Sequence, residues 1–254
     1  MKISVITVVL NNERHIETAI QSVKMQNYND IEYIVVDGGS SDGTLKVIDR
    51  NRDYINFLIS EPDRGIYDAI NKGISVSTGD VIALLHSDDF FLKDTVISDI
   101  ANQFDNNPDV DIVLGGVDFV RSRDLNFPVR LYSSCSFSPW KMRFGFMPPH
   151  PGAFVRKSAY DIVGYYRTSY KIGGDFDWFV RAFFVHRIVY KKNNSVMVRM
   201  RIGGVSTAGV VNTFLITREI LKSLKENKVY SNLLFVLVRL PIKYLLNILR
   251  RGGL

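Results

Sequence analysis

Short apolar, β-branched runs alternate with helix-patterned segments through the first half of the chain, and no other feature restricts the fold so strongly. Ile3–Leu10, Ile31–Val36, Ile55–Ser60, Val81–Leu85 and Ile112–Val117 read as strands. Between them Glu13–Gln26, Thr44–Arg50, Ile66–Ser75 and Asp94–Phe104 read as helices, the first with Ile16, Ala19, Ile20 and Val23 on one face. This order builds a parallel sheet with crossover helices, a nucleotide-binding type of architecture. Ligands of such sheets sit beyond the carboxyl ends of the strands. The residues there are Asn11-Asn12, Asp37-Gly38-Gly39, Glu61-Pro62-Asp63 and His86-Ser87-Asp88-Asp89, so acids follow three of the first four strands.

With 254 residues and 46% hydrophobic content, the chain can bury a full core and is most simply one α/β domain with a tail. Its single cysteine, Cys135, excludes an internal disulfide, which makes the cytoplasm the default compartment. Met1-Lys2 and an apolar run that turns polar at Asn11 read as a buried first strand, not as a secretory leader. The net charge of +6 resides in residues 218–254, which hold eight Lys/Arg against two Glu. A neutral body with a basic tail disfavours nucleic acid as a partner and favours a local anionic surface such as a membrane.

Between Arg121 and Pro151 regularity fades, and residues such as Phe127, Pro128, Trp140 and Pro148 predict irregular structure packed on the sheet, where an acceptor pocket can form. Helices are expected at Lys157–Val163 and Phe176–Val185, and strands at Ile188–Lys192 and Val196–Met200.

Four segments could carry chemistry. Asp88-Asp89 closes an apolar strand, and adjacent acids there want water, a cation or a hydrogen-bond donor. Mg²⁺ or Mn²⁺ held by one or two carboxylates and phosphate oxygens would satisfy them, and so would a helix cap before Leu92–Phe104. Asp37 before Gly38-Gly39 can accept hydrogen bonds from a base or ribose, or can simply hold a turn. In Asp63–Gly73, Asp68 and Lys72 stand four apart as a surface ion pair, while Arg64 near a helix N-terminus can hold a phosphate. Asp175, after Gly173-Gly174 and among aromatics, can be a desolvated general base or the start of a capped helix.

In order, TVVLNNERHIETAIQSVKMQ, VVDGGSSDGT, EPDRGIYDAINKGI, LLHSDD, GGDFDW and RIGGVST resemble glycosyltransferase family two, the inverting transferases with the A-type fold, and especially members that build bacterial polysaccharides such as O-antigen. The resemblance implies a mixed, mostly parallel nucleotide-binding sheet flanked by helices. It implies a catalytic domain over residues 1–207, with a nucleotide-sugar half (1–117) and an acceptor half (118–207), followed by a helical basic tail (208–254) that associates with membrane. It also implies a metal-dependent hexosyl- or N-acetylhexosaminyltransferase using Mn²⁺ or Mg²⁺. The donor is a nucleotide-diphosphate sugar, UDP-linked by preference, and the acceptor a lipid-linked saccharide at the inner face of the cell membrane.

By the same resemblance Val9, Asn11 and Glu13 line the donor site, Asp37 contacts the base, and Arg64 with Asp68 lies along the donor. Asp88 meets the ribose, Asp89 holds the metal and Asp175 is the catalytic base. Gly174 stands where many members have Glu, and His86 where many carry an acid. His150 falls near the diphosphate or acceptor, and Arg201 to Ser206 resembles a mobile segment that folds over the donor phosphates. The competing readings are a nucleotidyltransferase, disfavoured because no lysine- and glycine-rich loop follows the first strand, and an inactive membrane-associated scaffold, disfavoured by the four retained acids.

Leu233–Val238 and Leu240–Leu249 form an apolar stretch broken by Arg239, Pro241 and Lys243. About 20 apolar residues are needed to span a bilayer, and two cations with a proline argue against that. The sequence predicts in-plane amphipathic helices with Arg239, Lys243, Arg250 and Arg251 on anionic headgroups. The alternative is packing on the catalytic domain, or on a second copy in a homo-oligomer.

Overall fold

The opening apolar run forms the strand on which the rest of the molecule is assembled. In the computed structural model, which describes residues 1–203 and 209–242, Ile3–Val9 (β1) is buried along its whole length. On one side it pairs in parallel with Ile31–Asp37 (β2), which pairs in parallel with Phe57–Ser60 (β3); on the other it pairs in parallel with Val81–Leu84 (β4). Successive side chains point to opposite faces, so Ile6 and Val8 join one core cluster while Val5 and Val9 join another.

Helices cover both faces. Ile16–Lys24 (α1) and Thr44–Arg50 (α2) bury Ile16, Ile20, Val47 and Ile48 in the second cluster, and Ile66–Val76 (α3) buries Ala69, Ile70 and Ile74 in the first. α3 lies so close to the sheet that a Cβ on Gly73 would stand 2.5 Å from Ile6 Cγ2. A two-residue strand, Phe90–Phe91 (β5), precedes Val96–Asp105 (α4).

The far half of the sheet departs from the expected outline. Ile112–Arg121 (β6) outlasts its predicted end, and Asp124–Tyr132 (β7) is a regular antiparallel strand inside the stretch read as irregular. Pro128 within it is tolerated because β7 pairs only with β6, and the register shifts beside that proline. Ala153–Arg156 (β8), too short for periodicity to reveal, runs antiparallel between β4 and β6. Lys157–Val163 (α5) forms as predicted. Gly174–Val180 (α6) starts two residues early and passes into a π-helical turn over Arg181–Val185. The two expected strands after it are one, Tyr190–Arg201 (β9), parallel to β6 and antiparallel to β5. The sheet order is β3-β2-β1-β4-β8-β6-β9-β5, with β7 on β6.

Gly209–Glu226 (α7) and Leu233–Leu237 (α8) follow. Ile220 and Leu224 of α7 and Val236 of α8 belong to the same core cluster as the sheet, and Phe235 stacks on Phe144 at 4.8 Å. This overturns the expectation for Arg239. Its side chain does not face outward: it is buried, donates to Thr217 Oγ1 at 2.8 Å and lies 3.0 Å from where a Cβ on Gly145 would stand. Its Nε has no partner among the described residues and burial lowers its guanidinium from the usual value, so the site is set by the packing of its stem and not by an ion pair. Lys243, Arg250 and Arg251 lie outside the described residues. No helix among the described residues is long and apolar enough to cross a membrane.

Candidate active site

The ends of β1 and β2 make the first wall. Asn11 adopts a positive φ of 50°, and its Oδ1 accepts from Ser41 N at 2.8 Å while its own N–H reaches Ser40 Oγ at 2.8 Å. Glu13 Oε2 accepts from Gly43 N at 3.1 Å, and a Cβ on Gly43 would stand 2.3 Å from that carboxylate, so a larger residue would displace the Glu13 side chain. Val9 is buried in the core, and its carbonyl is taken by Gly38 N. Asp37 is fully buried; its carboxylate accepts from Gly39 N, Ser40 N and, at 2.8 Å, Ser60 Oγ. It therefore holds the turn that shapes this wall.

The loop after β3 reaches α3 through Gly65 at φ 118°, a conformation that favours glycine. Asp68 is nearly buried and accepts from Arg64 N at 3.1 Å and Arg64 Nη2 at 2.8 Å. Those bonds hold its carboxyl below the usual carboxylate value. Arg64, 79% exposed along its side chain, projects into solvent from that anchor. Lys72 takes Glu61 at 2.7 Å as its closer partner, leaving Asp68 at 3.9 Å.

The end of β4 carries the second wall. Asp89 is fully buried, and neither carboxylate oxygen has a hydrogen-bond partner. Desolvation, reinforced by neighbouring Asp88 and only partly offset by the charge and backbone N–H of Arg201, which makes no hydrogen bond of normal geometry to it, drives its carboxyl well above the usual value. It caps no helix, since α4 starts only at Val96. Opposite lies Arg201 at the end of β9, buried over the Phe90 ring, donating to the Asp88 carbonyl at 2.6 Å and to Thr18 Oγ1 at 3.1 Å. Arg201 is thus tied to the end of the sheet, with its Nε left without a partner, while residues 204–206 of the expected segment, Ser206 among them, lie outside the described residues. An orphaned buried carboxylate fits a hard divalent cation. Among the described residues no three His, Cys, Asp or Glu converge into a cage, so such a cation would rest on Asp89, its neighbour Asp88 and ligand oxygens.

A chain of rings leads from these acids to α6. His86 lies 6.1 Å from His150, whose Nε2 is 2.9 Å from the Tyr166 hydroxyl. Burial lowers the His150 imidazole to about 3, leaving it neutral at pH 7. Tyr166 stacks on Tyr67 at 5.8 Å, and the Tyr67 hydroxyl donates to the Ile172 carbonyl and lies 3.5 Å from Asp175 Oδ1. Asp175 accepts from Phe176 N at 2.7 Å, and burial raises its carboxyl to about 6.

Asp177, two residues further along the helix, has the opposite surroundings. It is fully buried but met by Arg181 Nε at 3.0 Å, Arg167 Nη1 at 3.3 Å, Ser223 Oγ at 2.9 Å and Asn227 Nδ2 at 3.1 Å. Asp177 is a structural tie between α6 and α7, and Asp175 is the acid left available. Gly174 also acquires a reason: a Cβ there would stand 2.7 Å from the Tyr67 ring, so that ring takes the space a larger residue would need. Tyr67, Tyr166 and Thr18 belong to the site without any signal in the sequence to single them out. Tyr67 sits inside the EPDRGIYDAINKGI motif, but nothing local announces that its ring crosses to α6.

A parallel sheet ending in a row of acids, joined through antiparallel strands to a helix carrying a desolvated carboxyl, defines an A-type nucleotide-sugar transferase fold. Residues 4–155 match the family model described as glycosyl transferase family 2. Over 240 residues the chain is 26% identical to a PGL/p-HBAD biosynthesis glycosyltransferase of Mycobacterium bovis, covering 93% of this chain and 89% of that protein. Its fold is similar to S. aureus TarS 1–349 in complex with UDP-GlcNAc, with a TM-score of 0.69 at 20% identity, over 88% of this chain and 66% of that one. It is also similar to a mannosyltransferase from Pyrobaculum calidifontis in complex with GDP-Man and Mn²⁺, with a TM-score of 0.65 at 16% identity, over 99% of this chain and 74% of that one. Against another crystal structure of S. aureus TarS the chain spans 40% of the length. The chain belongs to glycosyl transferase family 2. It is a glycosyltransferase.

Proposed function

We propose that the protein transfers a sugar from a UDP-sugar to a hydroxyl of a lipid-linked saccharide, with inversion at the anomeric carbon. The observation that carries this reading is Asp175, a half-buried residue whose carboxyl desolvation raises to about 6, with one oxygen engaged by its own helix and a neighbouring acid that is fully paired. A base of that strength is ionised at pH 7 and takes the proton of an acceptor hydroxyl as the oxygen attacks. The turn that Asp37 holds and the turn at residues 11–13 receive the base and ribose side of the donor, Asp88 the ribose, and Arg64 and Arg201 its phosphates. Asp89 would hold Mn²⁺ or Mg²⁺, which supplies charge stabilisation for the departing nucleoside diphosphate. The Mn²⁺ and GDP-Man of the mannosyltransferase neighbour and the UDP-GlcNAc of the TarS neighbour support the metal and the donor class.

The acceptor reading rests on a cavity of about 570 Å³ walled by Tyr132, Phe137, Trp140, Phe144, Met147 and Val238. Met147 precedes the Pro148-Pro149-His150 turn, so this apolar space lies along the chain from the site's own histidine and suits the chain of a lipid carrier. Leu233, Leu234, Leu237 and Leu240 are exposed and suit contact with a bilayer surface, which supports a location at the inner face of the membrane. The assay is turnover of UDP-, GDP- and dTDP-sugars with Mn²⁺ and short lipid-linked acceptors, with the anomeric configuration of the product read by NMR. A product that retains configuration, or transfer undiminished by D175N, overturns the mechanism.

A further inference from the structure

The segment that leads into Asp175 is held by a residue of α7. Three consecutive backbone N–H groups, those of Lys171, Ile172 and Gly173, donate to one carboxylate, Glu219 of α7, at 2.8, 3.0 and 2.7 Å. Glu219 is buried and has no cation as an ion-pair partner among the described residues. Both its oxygens are occupied by this row of amides, an arrangement an ionised, acceptor-only carboxylate can make and an amide side chain cannot. Gly173 is glycine for the same reason, since a Cβ there would meet Glu219 Cβ at 3.1 Å and Oε2 at 3.2 Å. The other end of the segment is tied by the Tyr67 hydroxyl to the Ile172 carbonyl. Two residues beyond the row stands Asp175.

We propose that Glu219 is a positioning residue for the transfer: it clamps residues 171–173 and so sets where the Asp175 carboxyl lies. The proposal rests on Asp175 as the base. The groups that bear on Asp175 are Glu219 from α7, Tyr67 from α3, Tyr132 from β7 and Tyr166 after α5, and of these only Glu219 is a carboxylic acid. Desolvation is the main cause of the raised Asp175 carboxyl, and the Glu219 charge adds a smaller push in the same direction. Both Glu219 oxygens are taken by these amides, so it acts through the backbone and through space.

Ionisation of Asp175 can be read without substrate, as the difference in unfolding free energy between a protein and its D175N counterpart from about pH 4 to pH 8. In the wild-type background that difference should turn over near 6. In the E219Q background it should turn over at lower pH, and UDP release from the UDP-sugar found by screening should fall about 10- to 100-fold, the cost of an ångström-scale misplacement. E219D keeps the charge but shortens the reach, so the turnover point should stay near its wild-type position while the rate falls. It also carries the test if E219Q does not fold. An unmoved midpoint in folded E219Q, or wild-type rates in both variants, overturns the proposal. The base assignment fails separately: D175N that retains transfer removes the role of Asp175 whatever Glu219 does.

Discussion

Asp175 and Asp177 stand two residues apart on α6, and replacing each by asparagine should have opposite consequences. Burial raises the Asp175 carboxyl from 3.8 to about 6, so the folded protein binds that proton more tightly than the unfolded chain. The resulting stability is complete below about 4 and is lost as pH rises through 6; above that, the ionised carboxylate is a cost. At about 1.36 kcal/mol per tenfold change in proton affinity, the cost at pH 7 is roughly 3 kcal/mol. Asparagine carries no charge, so D175N should unfold at higher temperature or denaturant than wild-type protein at pH 7 and match it near pH 4. Loss of a general base typically costs about 10²–10⁴-fold in rate, so the more stable variant should be the inactive one. Urea unfolding at several pH values, beside a UDP-release assay, reads both. A D175N protein less stable than wild type at pH 7, or one with near-wild-type transfer, would refute the argument.

D177N should instead destabilise by about 3–5 kcal/mol at neutral pH, because it leaves Arg181 buried without its anion and loosens Ser223 and Asn227 of α7; chemical denaturation checks this. D89A should abolish the binding of Mn²⁺ in the presence of UDP, measured by calorimetry, and EDTA should silence transfer by wild-type protein; full turnover by metal-free protein would remove the cation from Asp89. G174A forces a Cβ to within 2.7 Å of the Tyr67 ring and should cost about 1–3 kcal/mol in stability together with most of the transfer rate. R239A should lower stability by removing a buried stem and its bond to Thr217, with little change in binding to anionic vesicles.

The strand–helix alternation and the row of polar residues after the strands are local properties, written in hydrophobic periodicity, and the amino-acid order alone determines them; a parallel sheet follows from the alternation, while the order β3-β2-β1-β4 within it is a long-range pairing. The motifs around Asp37, Asp88-Asp89 and Asp175 were legible because acids at strand ends and beside glycines are conspicuous against packing rules. β7 and β8 were hidden, one by a proline that only an edge strand tolerates and the other by its four-residue length. What α7 and Arg239 do could not be read at all. Glu219 lies 44 residues from Asp175 in the numbering, and a basic, leucine-rich tail has the same composition whether it meets lipid or protein. Composition and period report what a segment tends to bury, but which acid is paired, which is orphaned and which cation is enclosed depends on neighbours brought together over long sequence separations, and only the tertiary structure decided that.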